Sequence, residues 1–176
     1  MHLILGGARS GKSQFAEEQA LQQAEKNDLT LHYVATATIN KDREMTSRVA
    51  IHQQRRDDRW TLIEEPLDLA SVINRATAQQ CLLIDCLTLW LTNALVGECW
   101  EPVRDAFFDA VKNTSAHVIF VSNEVGSGIV PLGELSRQFV DESGYLHQRL
   151  AAHCEQVSVV IAGLPLPLKP NLFYSD

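Results

Sequence analysis

The chain has 176 residues, 45% of them hydrophobic and 21% charged, the balance of a soluble globular protein that folds as a single domain over residues 1–176. A formal net charge of −7 excludes a general nucleic-acid or anionic-membrane surface. No apolar run approaches the roughly 18 residues of a membrane span, and the amino terminus, running straight into a glycine-rich motif, leaves no room for a cleavable signal peptide. In chain order, strands are expected at His2–Leu5, Leu31–Ala37, Trp60–Ile63 (the weakest), Cys81–Ile84, His117–Ser122 and Val157–Ala162. Helices are expected at Lys12–Lys26, Asp42–Asp57, Leu67–Thr77, Leu87–Val96, Val103–Asn113 and Leu132–Cys154, the last with a break near Gly144. From Pro165 onward the chain holds three prolines and reads as a surface strand or an extended arm. Short strands alternating with helices predict an α/β fold, a mainly parallel sheet flanked by helices, with ligands beyond the carboxyl ends of the strands. Cys81, Cys86, Cys99 and Cys154 lack paired metal spacing and read as buried reduced thiols of a cytoplasmic protein.

Residues 6–13, GGARSGKS, follow the apolar run Leu3-Ile4-Leu5 and match G-x-x-x-x-G-K-[ST], the P-loop, at Gly6, Gly11, Lys12 and Ser13. Glycines let successive backbone N–H groups converge on phosphate oxygens, and the following helix adds its positive end. In such a loop Lys12 reaches the β- and γ-phosphates and Ser13 holds Mg²⁺. The alternative is a glycine-rich strand-to-helix turn without a ligand. Asp85 ends the apolar strand Leu82-Leu83-Ile84, the Walker B arrangement, which makes it either a second Mg²⁺ ligand beside Ser13 or a cap of the next helix. Asn123-Glu124-Val125-Gly126-Ser127-Gly128 follows the strand at His117–Ser122, so Glu124 stands at the ligand edge or within a tight turn.

The segment Asp42–Arg59 carries Arg48, His52 and Arg56 at four-residue intervals, with Arg55 beside them. It is either an exposed charged helix with an incidental histidine or a phosphate-gripping stripe centred on an imidazole. In the second reading the guanidiniums disfavour imidazolium, which leaves a ring nitrogen free to act as a nucleophile. His2, His32, His117, His147 and His153 lack such a setting and are read as structural.

GGARSGKS, YVATAT, EMTSRVAIHQQRRDDRW, EEPLDL, LLIDCLTLWLTN, VSNEVGSGIVP, QRLA and VVIAGLPLPLK occur in that order. Together they resemble the bifunctional adenosylcobinamide kinase/adenosylcobinamide-phosphate guanylyltransferase family. The resemblance implies a RecA-like P-loop sheet and a homotrimer. It also implies two reactions: a purine nucleoside triphosphate (ATP or GTP) phosphorylates adenosylcobinamide, and GTP then transfers GMP to the adenosylcobinamide phosphate through a GMP-histidine intermediate. The family histidine falls on His52, with Lys12 as the other catalytic position. Its nucleotide-binding positions fall on Gly6, Gly7, Ala8, Arg9, Ser10, Gly11, Lys12 and Ser13, on Ala35, Thr36 and Ala37, on Gln53, Gln54, Arg55 and Arg56, and on Glu64 and Asp85. Leu132, Tyr145 and His147 stand where the family commonly has Glu, Arg and Asn. A GTP-dependent switch fits less well: Asn40-Lys41-Asp42 lacks the residue that N-K-x-D requires, and Asp141-Glu142-Ser143-Gly144 matches D-x-x-G only in a late, helix-like region. A monofunctional kinase would leave the Arg48/His52/Arg56 stripe idle.

Overall fold

The computed structural model describes residues 1–37 and 58–170. Over these the chain forms β1 (His2–Gly6), α1 (Lys12–Asn27), β2 (Thr30–Ala35), β3 (Trp60–Glu64), α2 (Leu69–Arg75), β4 (Gln80–Asp85), α3 (Leu87–Val96), α4 (Trp100–Asn113), β5 (His117–Asn123), α5 (Glu134–His153), β6 (Gln156–Ile161) and β7 (Leu164–Lys169). The strands make one seven-stranded sheet in the order β3-β2-β4-β5-β1-β6-β7, in which every pairing is parallel except β6 with β7. The expected α/β fold and mainly parallel sheet are present. The stripe helix expected at Asp42–Asp57 lies outside the described residues.

The central strands are apolar throughout because both faces of the sheet are covered. On one face Leu3, Val34, Leu82, Ile84 and Phe120 pack against α2 to α5, where Trp90, Trp100, Phe107 and Phe108 are almost wholly buried. Trp90 stacks at 4.7 Å from Phe107, which meets Phe120 at 5.8 Å. Each such ring contributes on the order of 2–3 kcal/mol of burial. On the other face Ala16, Ala20 and Ala24, one α1 turn apart, lie against Ile4, Leu31, Leu83, Ile119 and Val121. Alanine at each contact lets the helix backbone settle close to the sheet, which fixes the position of the α1 amino terminus relative to β1.

Helices α4 and α5 differ from those expected, while the tail takes the strand form expected of it. Helix α5 runs unbroken through Gly144. A helical glycine costs only about 1 kcal/mol, and Ser143, Leu146 and Leu150 bury one continuous face around it. Helix α4 begins at Trp100, three residues before Val103, because Pro102 falls in its first turn, where a missing N–H costs nothing. The proline-rich tail forms β7 on the sheet edge, where Pro165 and Pro167 need donate no ladder hydrogen bond.

Candidate functional site: the phosphate loop and the carboxyl edge of the sheet

The segment between β1 and α1 closes on itself. Ser10 N–H donates to the Gly7 carbonyl at 3.3 Å, and Phe15 N–H donates to Gly11 at 3.0 Å, opening the helix. Gly11 adopts a φ of +95°, in the region that favours glycine. Gly6 is needed for a different reason: a Cβ there would lie 2.5 Å from Ser10 Oγ and 2.6 Å from the Val160 carbonyl. Behind the loop, Gly163 N–H donates to the Ser10 carbonyl at 2.8 Å, so the β6–β7 turn braces it. Gly7, Ala8 and Arg9 are exposed, whereas Ser10 and Lys12 are buried. Among the described residues the buried Ser10 hydroxyl has no hydrogen-bond partner.

Lys12 Nζ donates to the Gly7 carbonyl at 3.1 Å, curling over the loop it belongs to. Burial lowers the Lys12 pKa below its ordinary value, and the nearby Asp85 charge offsets part of that shift. Asp85, half-buried at the end of β4, accepts a hydrogen bond at Oδ2 from the Tyr33 hydroxyl at 3.1 Å. The Ser13 hydroxyl and the Asp85 carboxylate are hard oxygen donors of the kind Mg²⁺ selects. Among the described residues there is no cluster of three or more His, Cys, Asp or Glu side chains, so a metal here would take most of its ligands from phosphate and water.

Register explains how the remaining predicted positions meet. Ala35 pairs with both Glu64 and Asp85, so the three form a row across the ends of β3, β2 and β4. Gly6 pairs with Asn123 on one side and Val160 on the other. Gly6 to Ser13, Ala35, Thr36, Ala37, Glu64 and Asp85 therefore share the carboxyl edge of the sheet. Glu64 stands at its far end, exposed on the edge strand β3. His52, Gln53, Gln54, Arg55 and Arg56, together with Arg48, lie outside the described residues.

Thr36, expected only as a nucleotide contact, also anchors a group of bonds that no local pattern shows. Thr36 is fully buried, and its hydroxyl donates to the Cys86 carbonyl at 2.7 Å while accepting the Cys86 N–H at 2.9 Å. This double clasp fixes the backbone that carries Asp85. Asn93 of α3 then donates to the Thr36 and Pro66 carbonyls at 3.0 and 3.1 Å, tying the ends of β2 and β3 to one helix. The partners are 27 to 57 residues apart in the chain, and no local pattern announces them. The four cysteines are free, and burial pushes the Cys81, Cys86 and Cys154 thiols up to about 11, which makes them inert at neutral pH.

His147 reaches from α5 to the same edge, where its Nε2 meets the Ser122 hydroxyl at 2.7 Å. Burial lowers its pKa from 6.5 to about 4, with the Glu124 charge offsetting part of the shift. A histidine depressed in this way stabilises the fold above pH 6.5, and the stability is lost as pH falls toward 4, because the unfolded chain takes up the proton first. Replacing His147 with Gln, which presents an amide nitrogen near the same place, should flatten this limb. Discounted for partial solvation, the fall in Tm between pH 7 and pH 4.5 should shrink by about 5 °C. Equal falls in the two proteins, measured by calorimetry, would remove His147 from the acid response.

Residues 2–168 match the family described as cobinamide kinase / cobinamide phosphate guanyltransferase. The chain is 50% identical over 173 residues to the bifunctional adenosylcobalamin biosynthesis protein CobP of Pseudomonas aeruginosa, covering 95% of this chain and 96% of the relative. It is 32% and 34% identical to the bifunctional adenosylcobalamin biosynthesis proteins CobU of Escherichia coli and Salmonella typhimurium, in each case over 96% of this chain and 99% of the relative. Among solved structures, a KaiC-like protein from Pyrococcus horikoshii superposes with a TM-score of 0.50 at 18% identity, covering 90% of this chain and 69% of that one, a likeness of fold that places the sheet in the RecA-like class. With the phosphate loop and the Asp85 edge in the positions described, the chain belongs to the cobinamide kinase / cobinamide phosphate guanyltransferase family.

Proposed function

We propose that this enzyme phosphorylates the hydroxyl of the aminopropanol arm of adenosylcobinamide with a purine nucleoside triphosphate, and then transfers GMP from GTP to that phosphate, giving adenosylcobinamide-GDP and pyrophosphate. The observation that carries the proposal is the braced phosphate loop with Lys12 curled over it beside Asp85, in a chain that matches the family across residues 2–168.

In the kinase half, loop N–H groups and Lys12 bind and orient the β- and γ-phosphates, which is most of what phosphoryl transfer asks of a protein. A Mg²⁺ ion held through Ser13 and Asp85 would neutralise charge on the phosphate oxygens. In the transfer half, an unprotonated ring nitrogen of His52 bonds to the α-phosphorus of GTP as pyrophosphate leaves. The cobinamide phosphate then displaces the imidazole and regenerates the histidine. Guanidiniums of Arg48, Arg55 and Arg56 match phosphate oxygens in pairs and balance charge on the α-phosphate. Splitting the transfer this way replaces one difficult displacement with two easier ones. The binding positions proposed for the nucleotide are Gly6 to Ser13, Ala35 to Ala37, Gln53 to Arg56, Glu64 and Asp85. The working form is proposed to be a cytoplasmic homotrimer; among the described residues no helix is long and apolar enough to cross a membrane.

Incubation of the protein with GTP, Mg²⁺ and adenosylcobinamide tests the proposal by its products. A GMP-capped corrinoid and pyrophosphate are expected. Accumulation of the phosphorylated corrinoid alone would reduce the enzyme to a kinase, and slow release of GDP without a new corrinoid would refute both halves.

A further inference from the structure

Phosphoryl transfer to a hydroxyl requires a place for the hydroxyl proton, and the residues described so far do not supply one. Among the described residues the carboxylates at the carboxyl edge include Glu64, Glu65, whose Oε1 is taken up by the Leu67 and Asp68 N–H groups, Asp85 and Glu124. Glu64 ends β3, four strand positions from β1, which at about 4.8 Å per strand puts it roughly 19 Å from the phosphate loop. Asp85 ends β4 close enough to Lys12 for their charges to interact, but its Oδ2 already accepts the Tyr33 hydroxyl and its carboxylate is the one assigned to Mg²⁺. Glu124 follows β5, the immediate neighbour of β1 on the Asp85 side.

Glu124 is also joined to the loop itself. Its backbone N–H donates to the Gly6 carbonyl at 3.1 Å, and the next carbonyl along, Gly7, is the one on which Lys12 Nζ rests. The backbone at Glu124 thus joins the loop one residue before the carbonyl that holds the Lys12 ammonium, the group that in such loops reaches the β- and γ-phosphates. Its side chain is half-buried, and Oε1 accepts the Gly126 N–H at 2.7 Å, which fixes the carboxylate within its own turn. Among the described residues no hydrogen bond engages the second oxygen. The adjacent Val125 lines an apolar cavity of about 390 Å³ between α3 and α5, bounded also by Leu95, Leu135 and Phe139. His147, whose charge also senses Glu124, has its Nε2 committed to Ser122.

We propose that Glu124 is the general base of the kinase half-reaction, an inference that rests on the function proposed above. The acceptor hydroxyl oxygen forms its bond to the γ-phosphorus, and the bond from that phosphorus to the β,γ-bridging oxygen breaks. The nucleoside diphosphate leaves with the electron pair, and the hydroxyl proton passes to the free Glu124 oxygen and from there to solvent. No such proton transfer is needed when a phosphate acts as the nucleophile on guanylylated His52, so Glu124 serves one half of the cycle alone.

Glu124→Gln tests this, because the amide oxygen still accepts the Gly126 N–H while the basic oxygen is lost. With adenosylcobinamide and γ-labelled GTP, corrinoid phosphorylation should fall about a hundredfold or more. With supplied adenosylcobinamide phosphate, GMP transfer should stay within about threefold of the parent, since nothing in it calls for this base. Glu124→Asp should recover part of the kinase rate. Retention of phosphorylation in Glu124→Gln would overturn the inference, as would equal losses in both halves, which would mark Glu124 as a support of the loop. A parent enzyme that fails to phosphorylate adenosylcobinamide at all would instead sink the proposed function, and this inference with it.

Discussion

His52→Ala should take up no label from GTP labelled at the α-phosphate, whereas the parent protein should carry about one guanylate per chain. An imidazole–phosphate bond is a phosphoramidate, so the label should survive base and be released by acid, which separates it from serine or carboxylate esters. Transfer of GMP to adenosylcobinamide phosphate should fall by on the order of 10⁴-fold or more, because the lost side chain is the covalent carrier of the group. Phosphorylation of adenosylcobinamide by the same variant should remain within a few-fold of the parent, since its parts lie in the phosphate loop. Stoichiometric acid-labile labelling that persists in the alanine variant would take His52 out of the mechanism. The prediction concerns a residue outside the described segment and rests on its arginine setting and family position alone.

Lys12→Ala should behave in the opposite way and impair both halves together. Its ammonium is buried beside Asp85 and held over the Gly7 carbonyl, so it is in place before phosphate arrives. Loss of a charged hydrogen-bond donor to phosphate should weaken GTP about ten- to a hundredfold. Turnover of each half-reaction should fall by roughly 10² to 10³. One loop serving both reactions makes the losses parallel. Unchanged GTP affinity, measured by calorimetric titration, would refute the shared site. Losses confined to one half would mean that the two nucleotides sit in different places.

How far these residues could be read in advance depended on how local their cause is. The strand, glycine loop and helix at Leu3–Ala24 are contiguous, and each part carries its own signal, so β1, the loop and α1 fall where expected. Asp85 stands at the end of its apolar strand as expected, and the cap of the following helix is Cys86 rather than Asp85. At Glu124 the two expected readings meet: its carboxylate caps its own turn at Gly126 while its backbone joins the loop at Gly6. By contrast the Thr36–Cys86 clasp and the Asn93 bridge arise only when β2, β4 and α3 are already side by side. Nothing in a threonine after a strand distinguishes a nucleotide contact from a backbone clamp. The unbroken helix through Gly144 shows the same limit from the other side: buried neighbours outweighed an unfavourable local propensity. The proline-rich tail was legible as an edge but not as the partner of β6, because its pairing is set by a two-residue turn at Ala162 and Gly163, both at positive φ.

That turn has a consequence for how the nucleotide arrives. Gly163 grips the Ser10 carbonyl, and Gly11 packs so closely on it that a Cβ at Gly11 would come within 3.2 Å of the Gly163 Cα. Two stretches a hundred and fifty residues apart thus hold the cradle in shape. The conformational freedom that a floppy anion-binding loop would surrender on capture has already been surrendered on folding. Binding energy from the triphosphate is therefore released for ordering the acceptor and the group to be moved, and a glycine near the carboxyl terminus becomes a determinant of encounter with a ligand it never touches.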